Sequence, residues 1–306
     1  MIVIRFIGGL GNQLFQYALG RHLSLIHNRP LRFDTSGYTA TKPDPKRGTR
    51  LFGLHAFSVS GQVATPQELQ PFQTCRRQGT RGRLARLANR CAPLRFRRYV
   101  VEPKTDFWRF RPGVLTSAVA EAVLFEGYWQ SEKYFKDIAE IVRNDLRPKL
   151  PAEGQNAEML STIGALDSVS VHVRHGDNAN AVAKDHGVLP TAYYERATAL
   201  IKERIPNAQF FVFSDDPEWA KDNLRLSGPA TFVVHNGDEK NYEDLRLMAA
   251  CKHHVVGNSS FSWWGAWLGS KDGQIVFAPE KYMQSGARRW EYHDYYPALW
   301  KALPVS

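Results

Sequence analysis

The segment Val169-Ser-Val-His-Val-Arg-His-Gly-Asp-Asn178 is an alternating apolar strand that runs directly into a cluster of charged side chains. Bringing Arg174, His175 and Asp177 together in one loop, just after His172, costs desolvation free energy. Proteins commonly accept that cost where an anion must be bound, because a guanidinium group matches phosphate oxygens. A salt-bridged strand end is the structural alternative. The segment therefore predicts a phosphate site at the end of a strand.

This strand opens a series in which short apolar strands alternate with amphipathic helices. We predict strands at 168–173, 209–214, 231–234, 254–256 and 274–278, and helices at 191–205, 218–224, 242–251 and 261–268. Such a β-loop-α series is typical of a parallel, doubly wound sheet. Polar residues follow the strands, at the carboxyl edge where such sheets bind ligands.

The N-terminal part opens with a second βαβ pattern. A strand at 2–7 is followed by a glycine turn, Gly8-Gly-Leu-Gly-Asn12, then by a helix and by a strand at 31–33. The turn resembles a dinucleotide fingerprint, but Leu14 stands where the third glycine is needed. Asn12 and Gln13 place two amides there that suit sugar hydroxyl groups. We predict irregular structure from residue 50 to 127 and a helix at 128–145.

A proline- and glycine-containing stretch at 147–156 is the best candidate linker. We therefore expect an N-terminal acceptor-side α/β domain at 1–150 and a C-terminal nucleotide-sugar domain at 160–284. The remaining tail, 285–306, is expected to pack back on the N-terminal domain. The fold class we predict is α/β, with two Rossmann-like domains that face a cleft.

The chain has 306 residues and a net charge of +10, which is unevenly distributed. Nine arginines occur between residues 76 and 98, and no acidic residue lies between Glu68 and Glu102. Leu84, Leu87 and Cys91 are helically spaced within this run, as in a basic amphipathic helix that contacts a membrane surface or an anionic partner. A solvated helix face is the alternative. The three scattered cysteines, with no signal-peptide core or membrane-spanning stretch, lead us to expect a cytoplasmic protein.

Three further segments carry candidate ligand contacts. Asn258-Ser-Ser-Phe-Ser262 precedes an apolar helix, so its backbone N–H groups and the helix dipole would favour an anion. Asp215 ends a strand and Asp244 opens a helix, and each is either a nucleoside contact or a helix cap. The sequence holds no Asp-x-Asp motif, which leaves little support for a metal-bridged diphosphate.

Taken together, these motifs resemble one family, the bacterial α-1,2-fucosyltransferases of glycosyltransferase family 11. The resemblance runs from residue 8 to about residue 280. It implies a GT-B-like fold, GDP-fucose as the donor, inversion at the anomeric carbon, transfer to a galactose 2-hydroxyl and no required metal or other cofactor. It is carried by the segments Gly8–Ala18, Glu126–Phe135, Val171–Asp177, Phe213–Asp216, Asp244–His253 and Asn258–Trp267.

Carried over residue by residue, the resemblance places Arg174 on the donor β-phosphate, with His172 and Asp177 in the same catalytic motif. His175 stands where the family usually has a second arginine, and Asn178 replaces a more common tyrosine. For Asp177, two roles remain open, general base or partner of Arg174. The other implied donor contacts are His175, Asp215, Asp244, Asn258, Ser259, Ser260 and Phe261, and the implied reaction-centre residues are Gly11, Asn12 and Gln13.

Two other classes of function remain open at this stage. One is an NAD(P)-dependent enzyme that uses the glycine turn, and the other is a non-catalytic module that binds sugar or nucleic acid on the arginine run. The fucosyltransferase hypothesis, which we prefer, predicts no nucleic-acid partner. It expects a galactose-containing oligosaccharide or a lipid-linked glycan as acceptor, with peripheral contact on the inner face of a membrane.

Overall fold

A computed structural model describes residues 1–38, 50–103, 108–176, 187–281 and 294–305. These residues form two compact units, each with its own parallel sheet. The first unit contains the described residues of 1–38, 52–147 and 294–295. The second contains residues 50–51, 148–176, 187–281 and 296–305.

The first unit is built on five parallel strands in the order β3-β2-β1-β5-β4. The strands are β1 (Ile2–Arg5), β2 (Leu31–Asp34), β3 (Gln62–Val63), β4 (Tyr99–Val101) and β5 (Val123–Glu126). The helices are α1 (Leu10–Ile26), α2 (Pro66–Leu69), α3 (Gln73–Arg76), α4 (Thr80–Cys91), α5 (Gly113–Thr116) and α6 (Ala139–Asp145). Single 3-10 turns occur at Leu54–Ala56, Gln70–Phe72, Leu94–Phe96, Glu132–Tyr134 and Lys136–Ile138.

Helix α1 packs closely on the central strand of this sheet. A Cβ atom at Gly20 would lie 2.4 Å from Ile4 Cγ1, so only glycine lets the helix approach the strand at this point. Twelve of the 17 residues of α1 are buried. The close helix–strand contact that a dinucleotide fingerprint assigns to its third glycine is made here six residues after Leu14.

The second unit is built on six parallel strands in the order β11-β10-β9-β6-β7-β8. The strands are β6 (Ser168–Val173), β7 (Gln209–Ser214), β8 (Ala230–Val233), β9 (His253–Val255), β10 (Val276–Pro279) and β11 (Lys301–Leu303). The helices are α7 (Gln155–Ala165), α8 (Thr191–Arg204), α9 (Pro217–Asn223), α10 (Asn241–Ala250) and α11 (Ser260–Leu268), with a 3-10 turn at Asp238–Lys240.

The order of strands reverses next to β6, which is the first strand of the second unit. The chain adds β7 and β8 on one side of β6 and then returns to place β9, β10 and β11 on the other. Open α/β sheets bind ligands at such a reversal, beside the carboxyl ends of the strands. All six residues of β6 are buried. Its valines, at 169, 171 and 173, pack into the main apolar cluster of this unit.

The predicted β-loop-α series of the C-terminal half is confirmed, with boundaries that differ by one or two residues. The N-terminal half differs more from its prediction. Strands β3, β4 and β5 lie in a region predicted to be irregular, and the predicted helix at 128–145 consists of two 3-10 turns and the short helix α6. Strand β3 has two exposed residues and β5 has three consecutive apolar residues, so neither shows the alternation that predicts a half-buried strand.

The C-terminal tail is divided between the two units. Residues 294–295 group with the first unit, whereas β11 pairs with β10 at the edge of the second sheet. We expected the tail to pack on the N-terminal domain. Its last strand, β11, instead completes a parallel ladder with Phe277–Pro279 in the second sheet. Across the part of the chain that the structure describes, no helix combines the length and apolarity needed to cross a membrane.

Candidate functional site

Arg174 directly follows β6, at the point where the strand order of the second unit reverses. The β6–β7 register pairs Val173 with Ser214, and its continuation places Arg174 beside Asp215. Arg174 Nε lies 3.3 Å from Asp215 Oδ2, and Asp215 Oδ1 accepts a hydrogen bond of 2.8 Å from the His175 N–H. One carboxylate therefore orients the guanidinium group and also fixes the backbone that carries it.

The imidazole of His175 is engaged with the neighbouring helix. His175 Nδ1 lies 2.8 Å from Asp216 Oδ2, and the ring stacks on Trp219 with a centroid separation of 4.0 Å. Asp216 also caps α9, because its Oδ1 accepts a hydrogen bond from the Trp219 N–H at 3.2 Å. His175 thus holds the loop after β6 against the start of α9.

His172 is buried at the end of β6 and approaches the loop after β9. Its ring centroid lies 5.8 Å from that of Phe261. Burial and the nearby Arg174 guanidinium lower the pKa of His172 to about 4, although Asp215 acts in the opposite direction. At neutral pH the imidazole is therefore uncharged, and it contributes no positive charge to the site.

The approach between β6 and the β9 loop depends on Gly257. A Cβ atom at this position would lie 2.7 Å from the His172 carbonyl oxygen, 3.3 Å from His172 Nδ1 and 3.5 Å from the Tyr194 hydroxyl oxygen. A separation of 2.7 Å from a backbone oxygen is too short for any side chain. The glycine therefore lets the chain turn directly against the end of β6 before it enters α11.

The N-terminus of α11 forms the other side of the strand-order reversal. Ser259 caps this helix, since its Oγ accepts a hydrogen bond of 3.3 Å from the Phe261 N–H. Asn258 is buried, and its Nδ2 donates to the Gly187 carbonyl at 3.0 Å. The positive end of the helix dipole at Ser260 thus lies beside β6, the strand that Arg174 directly follows.

Arg50 adds a second guanidinium group that the sequence interpretation did not single out. It belongs to the second unit and is electrostatically coupled to Arg174, Asp215 and Asp238. Burial and the Arg174 charge lower the pKa of Arg50, while the two aspartates oppose that shift. No local motif in the sequence could have revealed this residue, because it lies more than a hundred residues from the loop that it approaches.

Asp244 lies in the first turn of α10, within a network of amides. Its Oδ1 accepts a hydrogen bond of 2.8 Å from Asn236 Nδ2. Asn236 and Asn156 exchange two hydrogen bonds of 2.9 Å, and His235 Nε2 donates to Asn156 Oδ1 at 2.8 Å. Burial raises the pKa of Asp244 to about 7; the Asn236 hydrogen bond opposes this and Glu243 reinforces it. Asn156 was expected to lie in a linker, so this partner was missed.

The predicted reaction-centre residues lie in the first unit, at the start of α1. Gln13 is buried, and its Nε2 donates to the Gly8 carbonyl at 3.1 Å while its Oε1 accepts from the Gly53 N–H at 2.8 Å. The Gln13 amide therefore supports the glycine turn. Gly11 is also buried, whereas Asn12 is half-buried and its Oδ1 accepts from Gln130 Nε2 at 2.8 Å.

Asp177 and Asn178 lie outside the described residues. Within the ranges that the structure does describe, no group of three or more His, Cys, Asp or Glu side chains is arranged to hold a metal ion. Trp263, Trp264 and Trp267 are buried and form part of the core of the second unit.

These residues create a positively polarised edge that suits a diphosphate. Arg174 is oriented by Asp215, the N-terminus of α11 is adjacent, and Arg50 supplies further positive charge. Guanidinium groups and free backbone N–H groups are the usual ligands of phosphate oxygens. The site can therefore stabilise an anionic leaving group while His172 remains neutral.

Comparison with known proteins identifies the relatives of this chain. The family model described as glycosyl transferase family 11 matches residues 116–303. An Escherichia coli alpha-1,2-colitosyltransferase is 33% identical over 292 residues, covering 93% of both chains. The Escherichia coli O-antigen biosynthesis glycosyltransferase WbnK is 31% identical, covering 90% of this chain and 92% of its own. A Caenorhabditis elegans galactoside 2-alpha-L-fucosyltransferase is 24% identical, covering 68% of this chain and 60% of its own.

Among solved structures, the Arabidopsis thaliana FUT1 mutant in complex with GDP is similar in fold. It has a TM-score of 0.51 and 14% sequence identity, with 92% of this chain and 71% of that chain covered. This similarity and the two parallel α/β units confirm the predicted GT-B-like fold class. The match over most of the chain establishes a glycosyltransferase, and the chain belongs to glycosyl transferase family 11.

Proposed function

We propose that this glycosyltransferase moves L-fucose from GDP-fucose to the 2-hydroxyl of a galactose residue, with inversion at the anomeric carbon. The observation that carries the proposal is the Arg174–Asp215 pair, which presents a guanidinium group beside the N-terminus of α11 at the strand-order reversal. The motifs shared with α-1,2-fucosyltransferases and the relationship to a galactoside 2-alpha-L-fucosyltransferase support the choice of sugar and linkage.

The chemistry we propose is an in-line displacement at C1 of the donor sugar. The acceptor hydroxyl forms a bond to C1 as the bond from C1 to the β-phosphate oxygen breaks, and the negative charge passes to the leaving GDP. Arg174 and the α11 backbone N–H groups stabilise this charge where it develops. By analogy with an oxyanion-hole donor, loss of Arg174 should cost about 3 kcal/mol of transition-state stabilisation.

The proton released by the acceptor hydroxyl requires a base. We assign this role to Asp177, which follows the phosphate-binding loop, or alternatively assign it the task of pairing with Arg174. The substitution Asp177→Asn distinguishes the two, since loss of a base lowers kcat and leaves donor affinity intact, whereas loss of a partner for Arg174 weakens GDP binding as well.

For the nucleoside, we propose that Asp244 accepts hydrogen bonds from the guanine base. Its carboxylate lies at the carboxyl edge of the same sheet and is held by Asn236. Asn258, Ser259, Ser260 and Phe261 are proposed to complete the donor site around the phosphates. We expect no metal requirement, so turnover should be unchanged when a chelator such as EDTA is added.

The donor sugar is the part of the proposal that most needs a direct test, because one relative is an alpha-1,2-colitosyltransferase. The purified chain should be incubated with GDP-fucose, or with the corresponding colitosyl donor, and with a panel of acceptors. The panel includes lactose, lacto-N-biose, N-acetyllactosamine and a lipid-linked O-antigen unit, and the products are resolved by linkage.

The expected result is an α-1,2-fucosylated galactoside, whose formation the substitution Arg174→Ala lowers by a factor of about 100 or more. Arg204→Ala is a matched control, because this exposed arginine donates a hydrogen bond to the Leu200 carbonyl of its own helix, far along the chain from Arg174. If only the colitosyl group is transferred, GDP-fucose is the wrong donor. If GDP binds away from Arg174, the assignment of the phosphate site is wrong.

A further inference from the structure

Helix α4 is oriented so that its polar side faces the rest of the first unit. Gly82 is the one buried residue of this helix, and a Cβ atom there would lie 1.9 Å from the Arg77 carbonyl oxygen. Arg86 Nη1 donates to the carbonyls of Cys75 and Arg77 at 2.8 and 3.0 Å. Asn89 Oδ1, farther along the same face, accepts from the Arg98 N–H at 3.0 Å. Polar contacts therefore attach α4 to the protein.

The apolar residues of α4 lie on the opposite side of the helix. At about 100° per residue, positions 84, 87 and 91 fall opposite positions 82, 86 and 89. Leu84 is 66% exposed and Leu87 is 59% exposed, and Cys91 is also exposed. A helix in a globular protein normally turns its apolar side to the core, so the fold of this unit leaves that side of α4 uncovered.

Positive charge flanks the uncovered leucines on both sides. Arg81 lies on one flank of the stripe, and Arg83 and Arg90 lie on the other, all three exposed. Beyond the helix, Phe96 is 62% exposed and the Arg95 guanidinium lies 4.8 Å above its ring. No acidic residue occurs between Glu68 and Glu102 to neutralise these charges. We call this set, residues 81–98, the basic apolar surface.

We propose that the basic apolar surface docks on the headgroup region of an anionic lipid bilayer, with Leu84, Leu87 and Phe96 inserted among the lipids. A bilayer interface accepts a narrow apolar stripe with arginines on either side, because each arginine can extend its charge to the phosphates while its stem stays in apolar surroundings. Attraction to anionic lipid also explains the many arginines of this surface, since each basic residue near an anionic membrane strengthens binding.

A nucleic acid is the competing partner for so many arginines, but it gives the leucines no role. Binding to nucleic acid depends on phosphate contacts and needs no exposed aliphatic stripe. A protein partner would need an acidic, apolar groove, and lipid composition would not influence its binding. Substitution of the two leucines, Leu84 and Leu87, therefore distinguishes a lipid bilayer from a nucleic acid as the partner.

The test measures co-sedimentation of the full chain with vesicles of phosphatidylcholine alone or with 30% phosphatidylglycerol. Binding is expected on the anionic vesicles, at least tenfold tighter than on the neutral ones, and weakened by added salt. Leu84→Ser together with Leu87→Ser should weaken binding to anionic vesicles by a factor of about ten. Arg83→Gln together with Arg90→Gln should weaken it about 25-fold, at about fivefold per charge.

Matched control variants distinguish binding through this surface from nonspecific binding to vesicles. Leu150 and Leu299 are 69% and 92% exposed in the second unit, so the double variant to serine changes the same residue types elsewhere. Lys149→Gln with Lys301→Gln removes two exposed charges in the same way. Both control variants should bind anionic vesicles as the unmodified chain does. Because all the substituted side chains are exposed, thermal unfolding should shift little and will confirm that each variant is folded.

Two outcomes would overturn the proposal. One is binding to anionic vesicles that is unaffected by the Leu84 and Leu87 substitutions, because the contact would then be electrostatic alone. The other is a single-stranded RNA oligonucleotide that binds at the same salt concentration while vesicles of either composition do not, which would assign the arginines to nucleic acid.

Discussion

At the scale of single residues, the site depends on carboxylates that serve different purposes. Asp215 pairs with Arg174 and accepts a hydrogen bond from the His175 N–H, so it shapes the proposed phosphate site. Asp244 accepts a hydrogen bond from the Asn236 amide and its pKa is raised by burial, and among the residues that the structure describes no arginine or lysine pairs with it. A carboxylate without a cationic partner suits a ligand that brings its own donors, such as the N1–H and amino group of guanine.

This difference leads to a prediction about pH. The pKa of Asp244 is raised to about 7 because burial disfavours the carboxylate form. Since only the ionised form accepts two hydrogen bonds from guanine, affinity for GDP should rise as the pH is raised from 6 to 8, by up to about tenfold. The substitution Asp244→Asn should weaken GDP binding at pH 8 and remove most of this dependence. Calorimetric titration at pH 6, 7 and 8 measures both effects.

Controls for this prediction address the other titrating groups. Glu243 beside Asp244 and the GDP phosphate also titrate, so the informative quantity is the difference between the unmodified chain and Asp244→Asn at each pH. ADP carries the same phosphates without the guanine donors, and its binding should be equally weak in both proteins. A difference between the two proteins that is constant from pH 6 to 8 would argue against an ionised Asp244 in the nucleotide complex.

At the scale of elements, the junction between β6 and the β9 loop determines whether the site can form. Gly257 meets the His172 carbonyl oxygen, which belongs to a strand paired on both sides and cannot move away. We predict that Gly257→Ala destabilises the protein by about 1–3 kcal/mol, as overpacking typically does. It should also raise KM for the donor, because α11 begins three residues later.

The matched control is Gly237→Ala, which places a methyl group at the end of another strand of the same sheet. A Cβ atom at Gly237 would meet nothing within 4 Å, and its φ is −90°, so alanine should change stability by less than about 0.5 kcal/mol. Urea unfolding and donor saturation curves of the two variants make the comparison. Equal stability of both variants would mean that the chain relaxes at Gly257 more readily than the contact distances imply.

How far the sequence predicts these elements depends on the pattern within each one. Strands β6 and β7 have six residues each, and β6 alternates valines with polar residues before the charged loop, so this pattern located the C-terminal sheet and the loop after β6. Strand β3 has two exposed residues and shows no pattern. Helix α4 was predicted as a helix, but which side faces the protein depends on hydrogen bonds to Cys75, Arg77 and Arg98, and periodicity does not encode these.

The candidate site shows the same division between local and distant information. Arg174, Ser259 and Asp244 could be proposed from the sequence because each follows a strand or opens a helix. The contributions of Arg50 and Asn156 are missed, because they depend on contacts with segments far away in the chain. Gln13 and His175 were assigned to the site from their places in the family motifs, and the structure adds hydrogen-bond partners within the fold that those motifs do not encode.

At the scale of the whole molecule, two buried histidines of the second sheet make the stability of the folded protein depend on pH. Burial lowers the pKa of His172 to about 4 and that of His254 to about 3, with Arg174 adding to the first shift and Lys271 to the second. Both histidines are neutral in the folded state, and in the unfolded state they take up protons near pH 6.5. Their contribution to stability is therefore complete above pH 6.5 and is lost as the pH falls toward 4 and 3.

Asp244 acts in the opposite direction over the same range, and this gives the last prediction. Between pH 7 and 5, each histidine should cost about 2 kcal/mol of unfolding free energy, about 4 kcal/mol together. Protonation of Asp244 near pH 7 should restore about 2 kcal/mol, so the chain should lose only about 2 kcal/mol in total. The substitution Asp244→Asn removes the compensation, and its loss should approach 4 kcal/mol. Urea unfolding followed by tryptophan fluorescence at pH 7, 6 and 5 measures both slopes. A variant whose stability falls no more steeply than that of the unmodified chain would show that the raised pKa of Asp244 does not operate in the folded protein.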